Sequence, residues 1–485
     1  MKNAEPETHT IGWYQGTVEE AFASAKKENK PIFLYWGAVW CPPCQEIKHT
    51  VFNSRRFIRQ SEAFVPVYLD GDTTTAQLLG EKFGVKGYPT MIIFNSSGTE
   101  LTRIPGGIDV SIYNDILALS QETLSPTSEL VLRVLNAPDT ITEKNLKQLA
   151  FYSWGQEHNA LPDNYSPNLF LQMSELAADK VSRARLYMQY LYAVAEANDS
   201  KATTITPLDG AYEEVVLILK SDTLVLACWD SLAYSSTKLL PYIAGKEQQA
   251  ELITIWQKRL LELSTQDSLS TAEQLGGLFP TLDFYFFEDD SRSLDLETKN
   301  VVLNATQLAD TATTNSFARQ SVVNQINHVL QSAHLNSEAK ILLLNELERS
   351  KSPYYFMSSL AALAEKQDNI EESIEWYKKA YDSSVGAATR FQWGANYVAA
   401  VIRLQPKREE HIIASATSLL SEIENKSNIF AGRNFRTLKK LTKNLEKWQT
   451  QEQLASLGYF RNTVNQRCSQ QDADSITALN CASII

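Results

Sequence analysis

The segment that most restricts the fold runs from Pro31 to Cys44, PIFLYWGAVWCPPC, where an uncharged apolar run meets two cysteines separated by two prolines. Pro31 to Trp36 shows no alternation of apolar and polar residues, which suits a central strand buried on both faces. Cys41-Pro42-Pro43-Cys44 should then open a helix. Prolines are tolerated there because the N–H groups of a first helical turn have no intrahelical partner to lose. The positive end of the helix dipole and its free amides favour a thiolate, so Cys41 is expected to be the more exposed sulfur and the one of lower pKa. Two prolines also remove two amides that could donate to that sulfur. The Cys44 N–H remains as the local donor, and the thiolate stabilisation should be moderate.

The flanking sequence alternates between helix and strand signals. Thr17 and Glu20 form a capping box, and Ala21, Phe22 and Ala25 carry an apolar face toward a stop at Asn29. After the cysteines a helical stretch runs toward Arg59, with Asn53 and Ser54 able to cap a second piece. Phe64 to Leu69 reads as a strand, Thr75 to Phe83 as a helix and Thr90 to Phe94 as a strand. Asn95 to Gly98 is a turn, Glu100 to Ile104 an edge strand and Val110 to Leu119 a closing helix. The predicted order is α-β-α-β-α-β-β-α.

WCPPC after a strand, with Gly87-Tyr88-Pro89-Thr90 before the next one, resembles the thioredoxin fold over roughly residues 11–122. Trp13, the run KKENKPIF and Thr50-Val51-Phe52 are similar to the bacterial thiol–disulfide branch that includes the C-terminal domain of the membrane reductant conductor. The resemblance implies that Pro89 is a cis proline facing the cysteines and that Tyr88 offers its backbone to a substrate chain. Trp40 and Tyr88 would then flank the reactive sulfur as a substrate-binding surface; for both, plain core packing is the alternative. The implied activity is protein-disulfide exchange without a cofactor, in either direction, with Cys41 attacking and Cys44 resolving the mixed disulfide. Its partners would be protein clients with thiols or disulfides and a redox partner protein. One position departs from the family: Tyr35 stands where thioredoxins proper carry a buried Asp that helps move the proton of the second cysteine. Water, Glu46 or Lys48 would have to serve instead. Half of a zinc site and an ordinary structural disulfide are the competing readings of a Cys-x-x-Cys; for zinc, only His49 lies nearby and a second pair of ligands at finger spacing is missing, so no metal is expected.

At 485 residues the chain exceeds one ordinary core. From about Thr123 helical periods dominate, as in Ser182–Ala197, Lys246–Ser264, Ala339–Arg349, Ile370–Tyr381 and Glu409–Ile423. Phe279 to Phe287 is aromatic enough for a strand, yet a buried helix start or loop plug is favoured because no partner strand is evident. The fold class expected is an α/β thioredoxin fold followed by a large all-α, repeat-like region, divided as 1–122, 123–300 and 301–485. Met357, Leu360, Ala361 and Ala364 followed by Ser373, Tyr377 and Ala380 have the spacing of a tetratricopeptide hairpin, and an unrelated helical hairpin is the alternative. The helical region is expected to recruit the client. The rival functional class is a helical-repeat scaffold or chaperone-like adaptor that uses the thioredoxin domain mainly as a binding module.

Three of the five cysteines remain. Cys468 and Cys481 either close a structural disulfide, which would favour an oxidising compartment, or are two reduced thiols. Cys228, in the apolar run Leu224 to Trp229, reads as a small buried residue inside a helix. A formal net charge of −12 gives no electrostatic footing for nucleic acid. No apolar stretch is long enough to span a bilayer, so an integral membrane protein is not expected. The polar opening shows no signal peptide; a periplasmic location with that peptide removed is expected, and a cytoplasmic one is the alternative.

Overall fold

In the computed structural model, α1 (Val18–Glu28) begins where the sequence places its cap. The Thr17 hydroxyl accepts the Glu20 N–H at 3.1 Å, and the Glu20 carboxylate accepts the Thr17 N–H at 2.8 Å. Asn29 ends the helix in the left-handed region at φ 52°. The structure describes residues 10–104, 106, 113, 116–118, 124–156, 159–198, 206–423, 428–452, 457–472 and 475–484.

β1 (Ile32–Gly37) is buried along its whole length, as its uninterrupted apolar sequence requires. α2 (Pro42–His49) follows the first cysteine, and α3 (Arg55–Ser61) is a separate helix whose Ser54 cap accepts the Phe57 N–H. Then come β2 (Val65–Asp70), α4 (Thr74–Lys82), β3 (Thr90–Phe94) and β4 (Glu100–Ile104). The sheet order is β2-β1-β3-β4, with β3 and β4 antiparallel and Met91 opposite Ile104. The helix expected at Val110 to Leu119 falls mostly outside the described residues; within it Tyr113, Ile116 and Leu117 are buried. An α/β sheet segment followed by a large all-helical region is the architecture.

The outer edge of β4 is not left open. The Leu101 carbonyl accepts from the Thr127 hydroxyl and from the Gln148 amide, each at 3.0 Å, and the Arg103 carbonyl accepts the Ser153 N–H at 3.0 Å. Arg103 is fully buried, with its guanidinium held by the Glu100 carboxylate at 2.7 and 2.9 Å and by the Gln156 carbonyl at 2.9 Å. Side chains and backbone of the following helical segment thus take up groups that an edge strand would otherwise present for pairing.

The chain forms two compact units. The first contains residues 1–35, 45–68 and 90–335, the second residues 36–44, 69–89 and 336–485. In the first, the sheet core of Phe33, Tyr35, Met91 and Ile93 continues into helices such as Thr127–Asn136, Lys180–Asn198 and Lys246–Leu263. Phe279–Phe286 is a helix with Pro280 in its first turn. Cys228 is buried, but it sits at the break between helices Asp222–Ala227 and Trp229–Tyr234 and not within one helix. Its backbone twists there to ψ 18° while keeping hydrogen bonds to both sides. Burial pushes its thiol up to about 12.

In the second unit, helices Pro353–Lys366 and Ile370–Ser383 form a hairpin followed by Ala387–Leu404, Glu409–Leu419 and Gly432–Glu452. Gly394 permits the close crossing, since a Cβ there would come within 2.1 Å of Leu419 and 2.9 Å of Tyr381. The last helices, Gly458–Cys468 and Ile476–Ala482, bring Cys468 and Cys481 together, with Cα atoms 5.7 Å apart, within the reach of a disulfide.

Candidate functional site

β1 delivers the chain to Ala38 and α2 starts at Pro42, so the cysteines occupy a tight turn and the first helical turn. The Cys41 N–H donates to the Ala38 carbonyl at 3.3 Å, and the Cys44 N–H donates to the Cys41 sulfur at 3.2 Å, the donor expected from the two prolines. The two sulfurs are bonded, with Cα atoms 5.2 Å apart. Both cysteines are buried, Cys41 at 2 % and Cys44 at 0 % exposure, so Cys41 is the more exposed of the two by a narrow margin. Trp40 and Tyr88 pack with Ala38, Cys41 and Cys44 in one apolar cluster.

Tyr88 precedes Pro89 through a cis peptide bond. Its hydroxyl lies 3.4 Å from the Gly71 carbonyl and 3.3 Å from the Gln77 amide nitrogen, which also donates to Gly71. Gly71 has to be glycine for this contact, since a Cβ would fall 2.4 Å from the Tyr88 ring. Tyr35, at the position of the missing acid, is wholly buried, and its hydroxyl meets no partner among the described residues. Burial drives its pKa far above the ordinary tyrosine value, so it stays protonated and cannot replace a carboxylate as a proton acceptor. Lys48 lies 4.9 Å from the centre of the Tyr68 ring.

Trp40 is surrounded within the second unit by side chains from late in the chain. Its indole N–H donates to the Thr389 hydroxyl at 2.9 Å, and its ring meets Trp393 edge-on at 5.0 Å and stacks on Tyr355 at 6.2 Å. Asp72 accepts the Thr389 N–H at 2.7 Å, the Thr389 hydroxyl at 2.8 Å and an Arg433 nitrogen at 3.1 Å. Burial raises the Asp72 carboxyl above the usual aspartate range, while Arg433 and Thr389 pull it down. The Arg433 guanidinium lies 5.3 Å from the Trp40 ring and 5.4 Å from the Tyr88 ring. Asn434 and Gly432 donate backbone N–H groups to Gln77 and Glu81. Asp72, Thr389 and Arg433 were not singled out in the sequence; Asp72 and Thr389 are 317 residues apart and belong to no short motif.

Among the described residues, no group of three or more His, Cys, Asp or Glu side chains is placed to hold a metal ion. No helix among them is long and apolar enough to cross a membrane.

A cysteine pair at a helix start, a cis proline and a four-stranded sheet together define a thioredoxin-like domain. Residues 18–121 match the thioredoxin-like domain family. Similar proteins include the thiol:disulfide interchange protein DsbD of Yersinia pestis, 32% identical over 93 residues, which are 18% of this chain and 16% of that protein. DsbD of Photorhabdus laumondii is 30% identical over 99 residues, 19% of this chain and 17% of the relative. Thioredoxin H4 of Arabidopsis thaliana is 30% identical over 84 residues, 17% of this chain and 65% of its own length. The chain therefore spans about a sixth of the length of the DsbD proteins it matches.

Proposed function

We propose that this protein is a thiol–disulfide oxidoreductase that acts on protein clients through Cys41 and Cys44. The observation that carries the reading is the bonded Cys41–Cys44 pair at the start of α2, with the Cys44 N–H aimed at the Cys41 sulfur. In the reduced form that amide and the helix terminus stabilise a thiolate on Cys41. The thiolate attacks a client disulfide, a Cys41–client bond forms, and the second client sulfur leaves as a thiolate. Cys44 gives up its proton to water or a nearby side chain and attacks the Cys41 sulfur. The Cys41–Cys44 bond closes, the client leaves with two reduced sulfurs, and two electrons have passed to it. The reverse sequence oxidises a client dithiol.

Trp40, Tyr88 and Pro89 form the client-binding surface in this reading, and the helices that supply Thr389, Trp393 and Arg433 orient the client. The approach of Cys468 and Cys481 to within disulfide reach and the similarity to DsbD support a bacterial, periplasmic setting. The hairpin Pro353–Ser383 supports a tetratricopeptide-like region. Insulin reduction by the full chain with dithiothreitol tests the activity. It should be lost in Cys41→Ser, and unchanged turnover in that variant refutes the assignment. A redox titration of the pair gives the direction: a value near about −270 mV marks a reductase and one near about −120 mV an oxidant.

A second reading is favoured by the burial of Cys41: a helical scaffold or adaptor in which the thioredoxin-like domain serves for binding. It expects client capture to survive the Cys41→Ser, Cys44→Ser double variant, and loss of capture counts against it.

A further inference from the structure

Beside Trp40 and Tyr88, the second unit holds a cavity of about 300 Å³, at the lower end of the range of ligand pockets. Lys86, Arg433, Arg436 and Lys440 line it, and no carboxylate is among its described lining residues. Asp72 engages only one nitrogen of Arg433. Every charged side chain of the described lining is therefore a cation.

Arg433 adds an independent sign of a ligand. Its side chain is nine-tenths buried at 10% exposure. Nη2 is shared between Asp72 and Thr389, while Nε and Nη1 are buried without a hydrogen-bond partner among the described residues. Buried cationic donors are costly to leave unpaired, and an incoming acceptor relieves that cost. The guanidinium is held against the rings of Trp40 and Tyr88, the residues packed on the cysteines, so an anion bound there sits beside the redox pair. The amides of Gln392, Asn396 and Asn444 add groups that can both donate to and accept from a peptide backbone.

We propose that this cavity is an anion subsite for a carboxylate-bearing peptide disulfide. A substrate carboxylate accepts from Nε and Nη1 of Arg433, while Arg436 and Lys440 add positive charge around it, and the substrate disulfide lies toward Cys41. This inference rests on the oxidoreductase reading above and adds a substrate class to it.

The test uses the reduced full-length protein and three disulfides: a cystine peptide with glutamates beside its cysteines, the same peptide with glutamines, and glutathione disulfide. The expected result is a rate constant for the glutamate peptide at least tenfold above that for the glutamine peptide, shrinking toward one with added salt. The preference should fall at least fivefold in Arg433→Gln and in the rim variant Lys440→Glu. If Arg433→Gln does not fold, Lys440→Glu decides. Equal rates for the two peptides in the wild type overturn the subsite. With the glutamate preference in place, a still faster reaction of glutathione disulfide that Lys440→Glu slows at least fivefold supports it and assigns the carboxylate to a small disulfide instead of a protein segment. If no disulfide reacts, the oxidoreductase reading fails separately. Binding of the glutamate peptide with its cysteines S-methylated, followed by tryptophan emission, then decides: binding that Lys440→Glu weakens at least fivefold supports the subsite, and no binding overturns it.

Discussion

Asp72→Ala is the sharpest test of the polar network around Trp40. The carboxylate accepts three hydrogen bonds, at 2.7, 2.8 and 3.1 Å, and pairs with Arg433 where the two side chains are only 20% and 10% exposed. Removing one member of a buried ion pair costs about 3–5 kcal/mol, because the remaining charge stays desolvated without a partner. The residual exposure of Asp72 places this case at the lower end, about 3 kcal/mol, including the unsatisfied Thr389 N–H. Asp72→Asn should cost roughly half as much, about 1–2 kcal/mol, since it keeps an acceptor for that N–H and avoids the burial that raises the Asp72 carboxyl. The assay is urea unfolding at pH 7 followed by tryptophan emission. Trp40 shares Thr389 with Asp72, so its signal should change in the native baseline as well. A loss below about 1 kcal/mol in Asp72→Ala, or an Asn variant weaker than the Ala one, would refute the reasoning.

Three further outcomes follow from other residues. Burial raises Asp283 to about 6 from 3.8, against only a weak bond from Ser236 at 3.3 Å. The folded state therefore binds that proton more tightly than the unfolded chain, and stability should fall by up to about 3 kcal/mol as pH rises from 4 to 6, then level off. Asp283→Asn should flatten that slope in urea titrations across the same window, and an unchanged slope rules out Asp283 as its source. Gly71→Ala should displace the Tyr88 ring and cost about 1–3 kcal/mol by overpacking, read as a lower urea midpoint together with a changed redox rate. Cys468→Ser with Cys481→Ser should lose up to about 3 kcal/mol by the chain-entropy argument, and a non-reducing peptide map that finds both thiols free in the native protein would remove the premise.

The thioredoxin-like part was legible because its signals are local. Thr17 with Glu20, the unbroken PIFLYW run and the proline pair each dictate a structure within a few residues, and α1, β1 and the start of α2 lie where those rules put them. The stretch from the cysteines toward Arg59 divides at Ser54, one of the two residues read as able to cap a second helical piece. Two things escaped local rules. The burial of Cys41 arises from the packing of Trp40 and Tyr88 on the pair, which a helix-terminus argument does not include. Of the polar partners, Asp72 lies more than 300 positions from both Thr389 and Arg433, and no periodicity or motif links an ordinary Asp to an ordinary Thr and Arg across such a distance. Cys228 lay between, since its burial followed from its apolar neighbours while the helix break at that residue did not.

The covered edge of β4 has a practical consequence for dissecting the chain. A fragment ending near residue 122 would contain every strand of the sheet, yet it would lack Thr127, Gln148, Ser153 and Gln156. The carbonyls of Leu101 and Arg103 would turn to solvent or to a second copy of the same strand, and the Arg103 guanidinium would lose one of its acceptors. Such a fragment is expected to self-associate through β4, whereas one extended through Gln156 keeps these contacts and should remain monomeric.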